Sequence, residues 1–250
     1  MAGHSKWANI KHRKARQDAA RSKAFTRIIR ELTVAAREGG SDAGTNPRLS
    51  LAIDNAKAAN MPKDNIERAI LKGTGELEGE SYEEVTFEGY GPGGVAYFIE
   101  CTTDNNNRTV SEIRFIFSKH GGNMGNSGSV AFLFEQKGII TIKKDGQDED
   151  EVMLAAIDAG ADDVKAEAGY FEITTTREQL YAVRTGLEEA GYTIDNAELQ
   201  RVPATEVEVD ADTALSNLKL MDKFEEHDDV TNVFTTMNMS DEVMEIAEKM

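Results

Sequence analysis

The sequence predicts an α+β protein in which an N-terminal helical domain precedes two sheet-and-helix domains, one inserted in the other. Three observations predict this class. Helical segments with recognisable start and stop signals fill the first seventy residues, and short β-rich segments alternate with helices after residue 83. In addition, residues 138–201 follow the order β-α-β-β-α-β, which is that of a ferredoxin-like unit and can fold as one domain.

Three helices are predicted in the N-terminal domain. The first covers residues 17–38 and stops at Gly39, because glycine suits the residue after a helix. The second and third have Pro47 and Pro62 in their first turns, where proline is tolerated, and Gly73 follows the third. The glycine-rich segment that comes next shows no periodicity and is interpreted as a linker.

The remaining chain is predicted from β-branched and aromatic content and from the turn residues between segments. Strands are expected near residues 85–90, 94–103, 130–135, 138–143, 163–167, 170–176, 193–201, 205–209 and 230–237. Helices are expected near 108–119, 148–159, 177–190 and 211–226. The predicted domains are therefore residues 1–76, residues 82–136 with 203–240, the inserted residues 137–202, and a C-terminal helix at 241–250.

Positive charge is concentrated at the start of a chain whose net charge is -17. The first thirty residues contain nine Lys and Arg but one acid, Asp18. Residues 1–72 hold 15 Lys/Arg against 7 Asp/Glu, net +8, whereas residues 73–250 hold 13 against 38, net -25. A basic segment of this kind favours a polyanionic partner even though the whole chain is acidic.

The first helix is predicted to carry one cationic face. On a helical wheel four basic residues lie within about 60° of one another, opposite an apolar half: Arg16, Lys23, Arg27 and Arg30. Trp7, in the segment before the helix, either stacks on a base or packs against the helices. A solvated basic face is the alternative, but the lack of neighbouring acids argues against it. The predicted nucleic-acid-binding residues are Lys6, Trp7, Lys11, His12, Arg13, Lys14, Arg16, Lys23, Arg27 and Arg30.

Other classes of function find little support. The single cysteine, Cys101, allows neither an intrachain disulfide nor a thiolate zinc site, and no apolar run approaches the length of a membrane span. A cytoplasmic protein is expected, although an Arg-rich start is also typical of a mitochondrial transit peptide. The four histidines form no catalytic grouping, so we expect no enzyme activity and no cofactor.

Three polar or glycine-rich motifs allow both structural and functional interpretations. "GYGPGG" (89–94) is expected to connect two strands of a hairpin. "HGGNMGNSGS" (120–129) is expected to end a helix and form a loop, or alternatively to let bare backbone approach a partner. "DNNNRT" (104–109) supplies a helix N-cap and is expected to leave Arg108 exposed for contact.

Several of these motifs resemble those of the YebC/PmpR family of probable transcriptional regulatory proteins. The resemblance lies in "MAGHSKWANIKHRK", "NPRL", "MPKDNIERAI", "GYGPGGVA", "DNNNRT" and "GGNMGNSGSVAFLF". It implies a helical domain followed by two ferredoxin-like domains. It also implies a cytoplasmic DNA-binding regulator of transcription without catalytic activity. The match of the first residues implies a genuine N-terminus rather than a cleaved transit peptide. Family relatives include a mitochondrial translational activator of cytochrome oxidase, so ribosomal or transfer RNA and the ribosome remain alternative partners. The oligomeric state is left open.

Overall fold

The computed structural model describes residues 17–79, 81–167 and 169–250, with side chains from Lys23 onward. Within these residues the chain forms eight α-helices and two four-stranded antiparallel sheets, so the α+β class is confirmed. The helices are α1 (Gln17–Gly39), α2 (Pro47–Ala58), α3 (Lys63–Gly73), α4 (Asn106–Lys119), α5 (Glu149–Ala159), α6 (Leu180–Glu189), α7 (Ala211–Glu226) and α8 (Asp241–Lys249). The strands are β1 (Glu83–Tyr90), β2 (Ala96–Thr103), β3 (Asn123–Met124), β4 (Phe134–Lys143), β5 (Asp163–Ala166), β6 (Tyr170–Thr176), β7 (Ile194–Pro203) and β8 (Val230–Thr235).

The described residues divide into two compact units. The first comprises residues 17–27, 81–135 and 201–250, and the second comprises residues 28–79 and 136–200. The second unit thus contains most of the helical segment together with most of the segment predicted to be inserted. The division into four segments that the sequence suggests stays a prediction.

The first unit is built on a sheet in the order β3-β1-β2-β8. Strands β1 and β2 form an antiparallel hairpin, so "GYGPGG" is a hairpin connection as expected. One face of the sheet, with α4, α7 and α8, forms a core around Tyr97, whose hydroxyl donates a hydrogen bond to Oδ1 of Asn217 at 2.8 Å. Phe117 and Phe224 pack edge to face beside it, with ring centroids 4.7 Å apart. The opposite face packs a smaller cluster that includes Phe98.

The second unit contains a sheet in the order β5-β6-β4-β7, with α5 and α6 following β4 and β6. This strand order and the β-α-β-β-α-β sequence are those of a ferredoxin-like fold. The core holds alternate residues of the central strands, among them Ile140, Ile142, Phe171 and Ile173, all nearly inaccessible to solvent. Alternation arises because successive strand residues point to opposite faces of a sheet.

Helix α2 docks onto this ferredoxin-like core through contacts that the sequence did not predict. Nη1 of the buried Arg184 lies 2.6 Å from Oδ2 of Asp54. The side-chain amide of Asn55 donates to the carbonyl of Ala197 at 2.9 Å, and Leu51 packs against the core cluster. These residues lie far apart in sequence, so no local pattern indicates their proximity.

Two predicted strands are wrong. Residues 131–133 form a 3-10 turn, and strand β4 runs without interruption from Phe134, where the sequence suggested separate strands at 130–135 and 138–143. Residues 205–209 form no strand, since Val207 makes only an isolated bridge to Met237. Strand β3, by contrast, lies inside the glycine-rich motif and was not predicted, because its two residues are too few to show alternation.

Glu88 organises the glycine-rich loop that follows β3. Its buried carboxylate accepts hydrogen bonds from the backbone N–H groups of Gly128, Val130 and Ala131 at 2.7–2.8 Å. Burial alone would raise the pKa of Glu88, but these three donors and the nearby Arg201 charge lower it below its ordinary value. Glu88 therefore remains charged and holds the loop in one conformation.

We expect Glu88→Gln to lower the free energy of unfolding by about 2 kcal/mol at pH 7, because hydrogen bonds to a charged acceptor are lost. A carboxyl group whose pKa is lower in the folded state stabilises the fold above its unfolded pKa, and that contribution disappears as the pH falls through the folded pKa. Urea titrations of both proteins should therefore show a difference at pH 7 that shrinks below the ordinary pKa of 4.5. The exposed Glu83→Gln serves as the control on the same strand. An equal difference in the free energy of unfolding at pH 7 and below pH 4.5 would contradict this account.

Candidate nucleic-acid interface

The described structure contains three of the ten residues predicted to bind nucleic acid. Lys23, Arg27 and Arg30 all lie on α1, as expected from the helical pattern. The other seven lie outside the described residues: Lys6, Trp7, Lys11, His12, Arg13, Lys14 and Arg16. The structure therefore gives geometry for the helical part of the predicted site.

The three α1 cations are half-buried. Nζ of Lys23 and Nε of Arg27 and of Arg30 are shielded from solvent. Nη2 of Arg27 lies 3.4 Å from the backbone carbonyl oxygen of Glu225, at the end of α7. The helical wheel predicted one cationic face on this helix, and these three side chains are only partly accessible to a partner.

Other cations of the helical segment are exposed and were missed at the level of sequence. Arg37, Lys57 and Lys72 occupy the last turns of α1, α2 and α3, where positive charge also interacts favourably with the helix dipole. Arg68 and Lys72 lie one turn apart on α3, and both are exposed. Their i,i+4 spacing indicates a basic pair on one face of the helix, but the higher density of positive charge before α1 drew the prediction to that segment instead.

Close helix packing places the end of α3 beside α1. A Cβ atom on Gly73 would collide with the backbone carbonyl oxygen of Thr33, so only glycine permits this approach. The Thr33 hydroxyl also lies within hydrogen-bond distance, 3.2 Å, of the carbonyl oxygen of Ala69 on α3. Lys72, immediately before Gly73, is thereby held beside the C-terminal half of α1.

The motif "NPRL" fixes the junction between α1 and α2. Asn46 caps α2 by accepting a hydrogen bond from the Leu49 N–H, and its amide donates to the carbonyl of Ala35 at 2.8 Å. Arg48 pairs with Glu31 and Glu38, both on α1, at 2.8 and 2.6 Å. These interactions give the motif a role in folding.

"DNNNRT" likewise forms a closed polar cluster. Asn105 caps α4, as predicted. The carboxylate of Asp229, which is 2 % exposed, accepts hydrogen bonds from the hydroxyls of Thr103 and Thr109 and from Nη2 of Arg108, the last at 2.7 Å. Arg108 also pairs with Asp104 at 2.8 Å. Its side chain is exposed, as expected, and its guanidinium is also held by the carboxylates of Asp104 and Asp229.

The pKa values of this cluster follow from the same contacts. Burial alone would raise the pKa of Asp229, but the hydrogen bonds from Arg108, Thr109 and Thr103 outweigh it and lower the pKa below its ordinary value. Hydrogen bonds to Asp229 and Asp104 raise the pKa of Arg108. Both groups are therefore charged at neutral pH.

Glu112, His227 and Asp229 lie close enough together to hold a metal ion. Their atoms already have partners, however. Nδ1 of His227 accepts from the Asp229 N–H, so its Nε2 carries the proton that faces Oε2 of Glu112 at 2.7 Å. The internal hydrogen bonds account for these side chains without a metal.

We expect Arg108→Ala to lower the urea midpoint of unfolding and to leave affinity for nucleic acid unchanged, because the guanidinium stabilises a buried carboxylate.

Asp229→Ala should lower the free energy of unfolding by about 2 kcal/mol, since two buried threonine hydroxyls lose their acceptor. Arg114→Ala, on the exposed side of the same helix, is the control and should alter neither quantity. Weakened nucleic-acid binding by Arg108→Ala at unchanged stability would contradict the structural role.

Among the described residues, no helix combines the length and apolar character needed to cross a bilayer.

The sequence and the structure were compared with known proteins. Residues 5–76 match the model of the TACO1/YebC protein N-terminal domain, and residues 82–237 match that of the TACO1/YebC second and third domain. A probable transcriptional regulatory protein of Persephonella marina is 57% identical over 98% of this chain and 99% of its own, and one from Shewanella oneidensis is 54% identical over the same shares. The crystal structure of a conserved hypothetical protein from Aquifex aeolicus superposes with a TM-score of 0.87 at 49% identity, covering 93% of this chain and 96% of that one. Full-length similarity at this level, together with both domain models, establishes that the chain belongs to the TACO1/YebC family.

Proposed function

We propose that this protein regulates transcription by binding DNA through its basic N-terminal segment. The observation that carries the proposal is the separation of charge along the chain, net +8 in residues 1–72 and net -25 in residues 73–250. The names of its relatives, probable transcriptional regulatory proteins, support the same class of function.

The physical basis of binding is the release of counterions from the phosphate backbone. Each phosphate that a Lys or Arg neutralises frees condensed cations, which makes affinity fall steeply with salt. The acidic remainder of the chain is repelled by the same polymer, so the protein approaches with its basic segment foremost. No metal or catalytic group takes part in this proposal, which assigns the protein a binding role alone.

We expect the cations to contribute unequally to this proposed contact. Lys23, Arg27 and Arg30 are half-buried, so they contribute less than exposed side chains would. The cations that precede α1 therefore carry the larger share of the proposed contact. Arg68 and Lys72 are exposed on α3 and are further candidate cations of the helical segment.

Ribosomal or transfer RNA is the second candidate partner. The same charge separation favours it, since RNA presents the same phosphates to lysine and arginine. The two candidates differ in where the protein acts in the cell. Crosslinking in cells, followed by sequencing of both the DNA and the RNA recovered, decides between them, and recovery of RNA alone would overturn the transcriptional proposal.

We expect a variant with Lys6, Lys11, Arg13 and Lys14 replaced by Gln to bind duplex DNA more weakly and with a shallower salt dependence. Loss of four phosphate contacts should reduce the slope of log K against log salt by about 3.6 on B-DNA. Fluorescence anisotropy across a series of salt concentrations measures the slope directly.

The matched control removes four exposed lysines from the acidic part of the chain, Lys119, Lys143, Lys219 and Lys249, each replaced by Gln. Both variants change the net charge equally, so a general charge effect would weaken both. Equal weakening, or an unchanged slope in the N-terminal variant, would overturn the proposed interface.

A further inference from the structure

The outer face of α5 exposes large apolar side chains. Met153, Leu154 and Ile157 are 36%, 63% and 56% exposed, and their spacing places them on one face of the helix. The inner face contributes the smaller Val152 and Ala156 to the core, both fully buried. The helix therefore buries its smaller apolar residues and exposes its larger ones.

This arrangement is unusual for a surface helix. Such a helix normally keeps its apolar residues on the core side and its polar residues outside. Contiguous exposed apolar patches mark interaction sites in soluble proteins. Tyr181, on the neighbouring helix α6, is also 44% exposed and adds aromatic surface to the same pair of packed helices. None of these side chains belongs to the buried core of this unit.

Acidic residues flank the apolar face at both ends of the helix. Glu149, Asp150 and Glu151 lie in the first turn, where they also complement the helix dipole. Asp158 lies in the last turn, is exposed, and has no such explanation, because negative charge is unfavourable at a helix C-terminus. An apolar stripe bordered by carboxylates complements a segment that is apolar on one side and cationic at its edges.

We propose that the outer face of α5 binds a basic amphipathic segment of a partner protein. The aliphatic side chains of α5 pack against the apolar side of that segment, and Asp150 and Asp158 lie opposite its lysines or arginines. A second copy of this chain fits less well, because symmetric pairing of two α5 helices brings like-charged carboxylates together.

The test uses a fluorescein-labelled helical Leu/Lys peptide of about 15 residues with its leucines on one face, titrated against the full chain at about 150 mM salt. Fluorescence anisotropy should show binding that is at least about tenfold weaker for the double variant Leu154→Ser, Ile157→Ser. A Leu/Glu peptide of the same pattern should not bind. The double variant keeps every charge, so nonspecific attraction of the peptide to an acidic protein would be unaffected by it.

The matched control is Phe115→Ser, which removes an exposed apolar side chain, 63% accessible, from the other compact unit. It should leave peptide affinity unchanged, and both variants should unfold at the wild-type temperature.

Equal peptide binding by wild type and double variant would overturn the proposal. So would sedimentation showing a wild-type dimer that the double variant abolishes, since a second copy would then occupy the face. DNA affinity should be unchanged in the double variant, so this result stands apart from that of the proposed nucleic-acid interface.

Discussion

The requirement that buried polar groups find hydrogen-bond partners governs how this chain connects its elements. At three junctions a single buried side chain makes several hydrogen bonds to backbone or side-chain groups: Asn46 between α1 and α2, Glu88 under the glycine-rich loop, and Asp229 beside the start of α4. A buried carboxylate or amide without a hydrogen-bond partner would lower the free energy of unfolding by about 1–3 kcal/mol or more. The loops therefore adopt conformations in which these hydrogen bonds form, and this fixes the positions of the helices and strands that the loops connect.

Because of this requirement, two motifs that look functional have structural roles. Arg108 was a plausible contact residue because it follows a run of asparagines and is partly exposed, yet its guanidinium neutralises a buried aspartate. The arginine of "NPRL" pairs with two glutamates of the preceding helix. Conspicuous polar residues of these motifs therefore serve the fold, and the proposed nucleic-acid contact rests on other residues, the cations of the N-terminal segment.

The proposed partners of the protein have opposite electrostatic character. The basic N-terminal segment suits a phosphate polymer, whereas the acidic and apolar face of α5 suits a cationic protein segment. Because like charges repel, neither surface competes for the other's partner. Such a chain is suited to join a nucleic acid to a protein.

Local pattern determined most of the secondary structure, the ferredoxin-like order of residues 138–201, and the segregation of charge. These follow from side-chain periodicity, cap residues and composition, all of which lie within a few positions along the chain. The two-residue strand β3 and the uninterrupted β4 escaped prediction because pairing with distant strands, rather than local alternation, defines them. Likewise, only the tertiary structure decided that Lys23, Arg27 and Arg30 are half-buried, that Arg184 joins Asp54, and that α5 leaves its larger apolar residues outside. Burial and long-range pairing depend on which surfaces meet in space, and that information is absent from the spacing of residues along one helix.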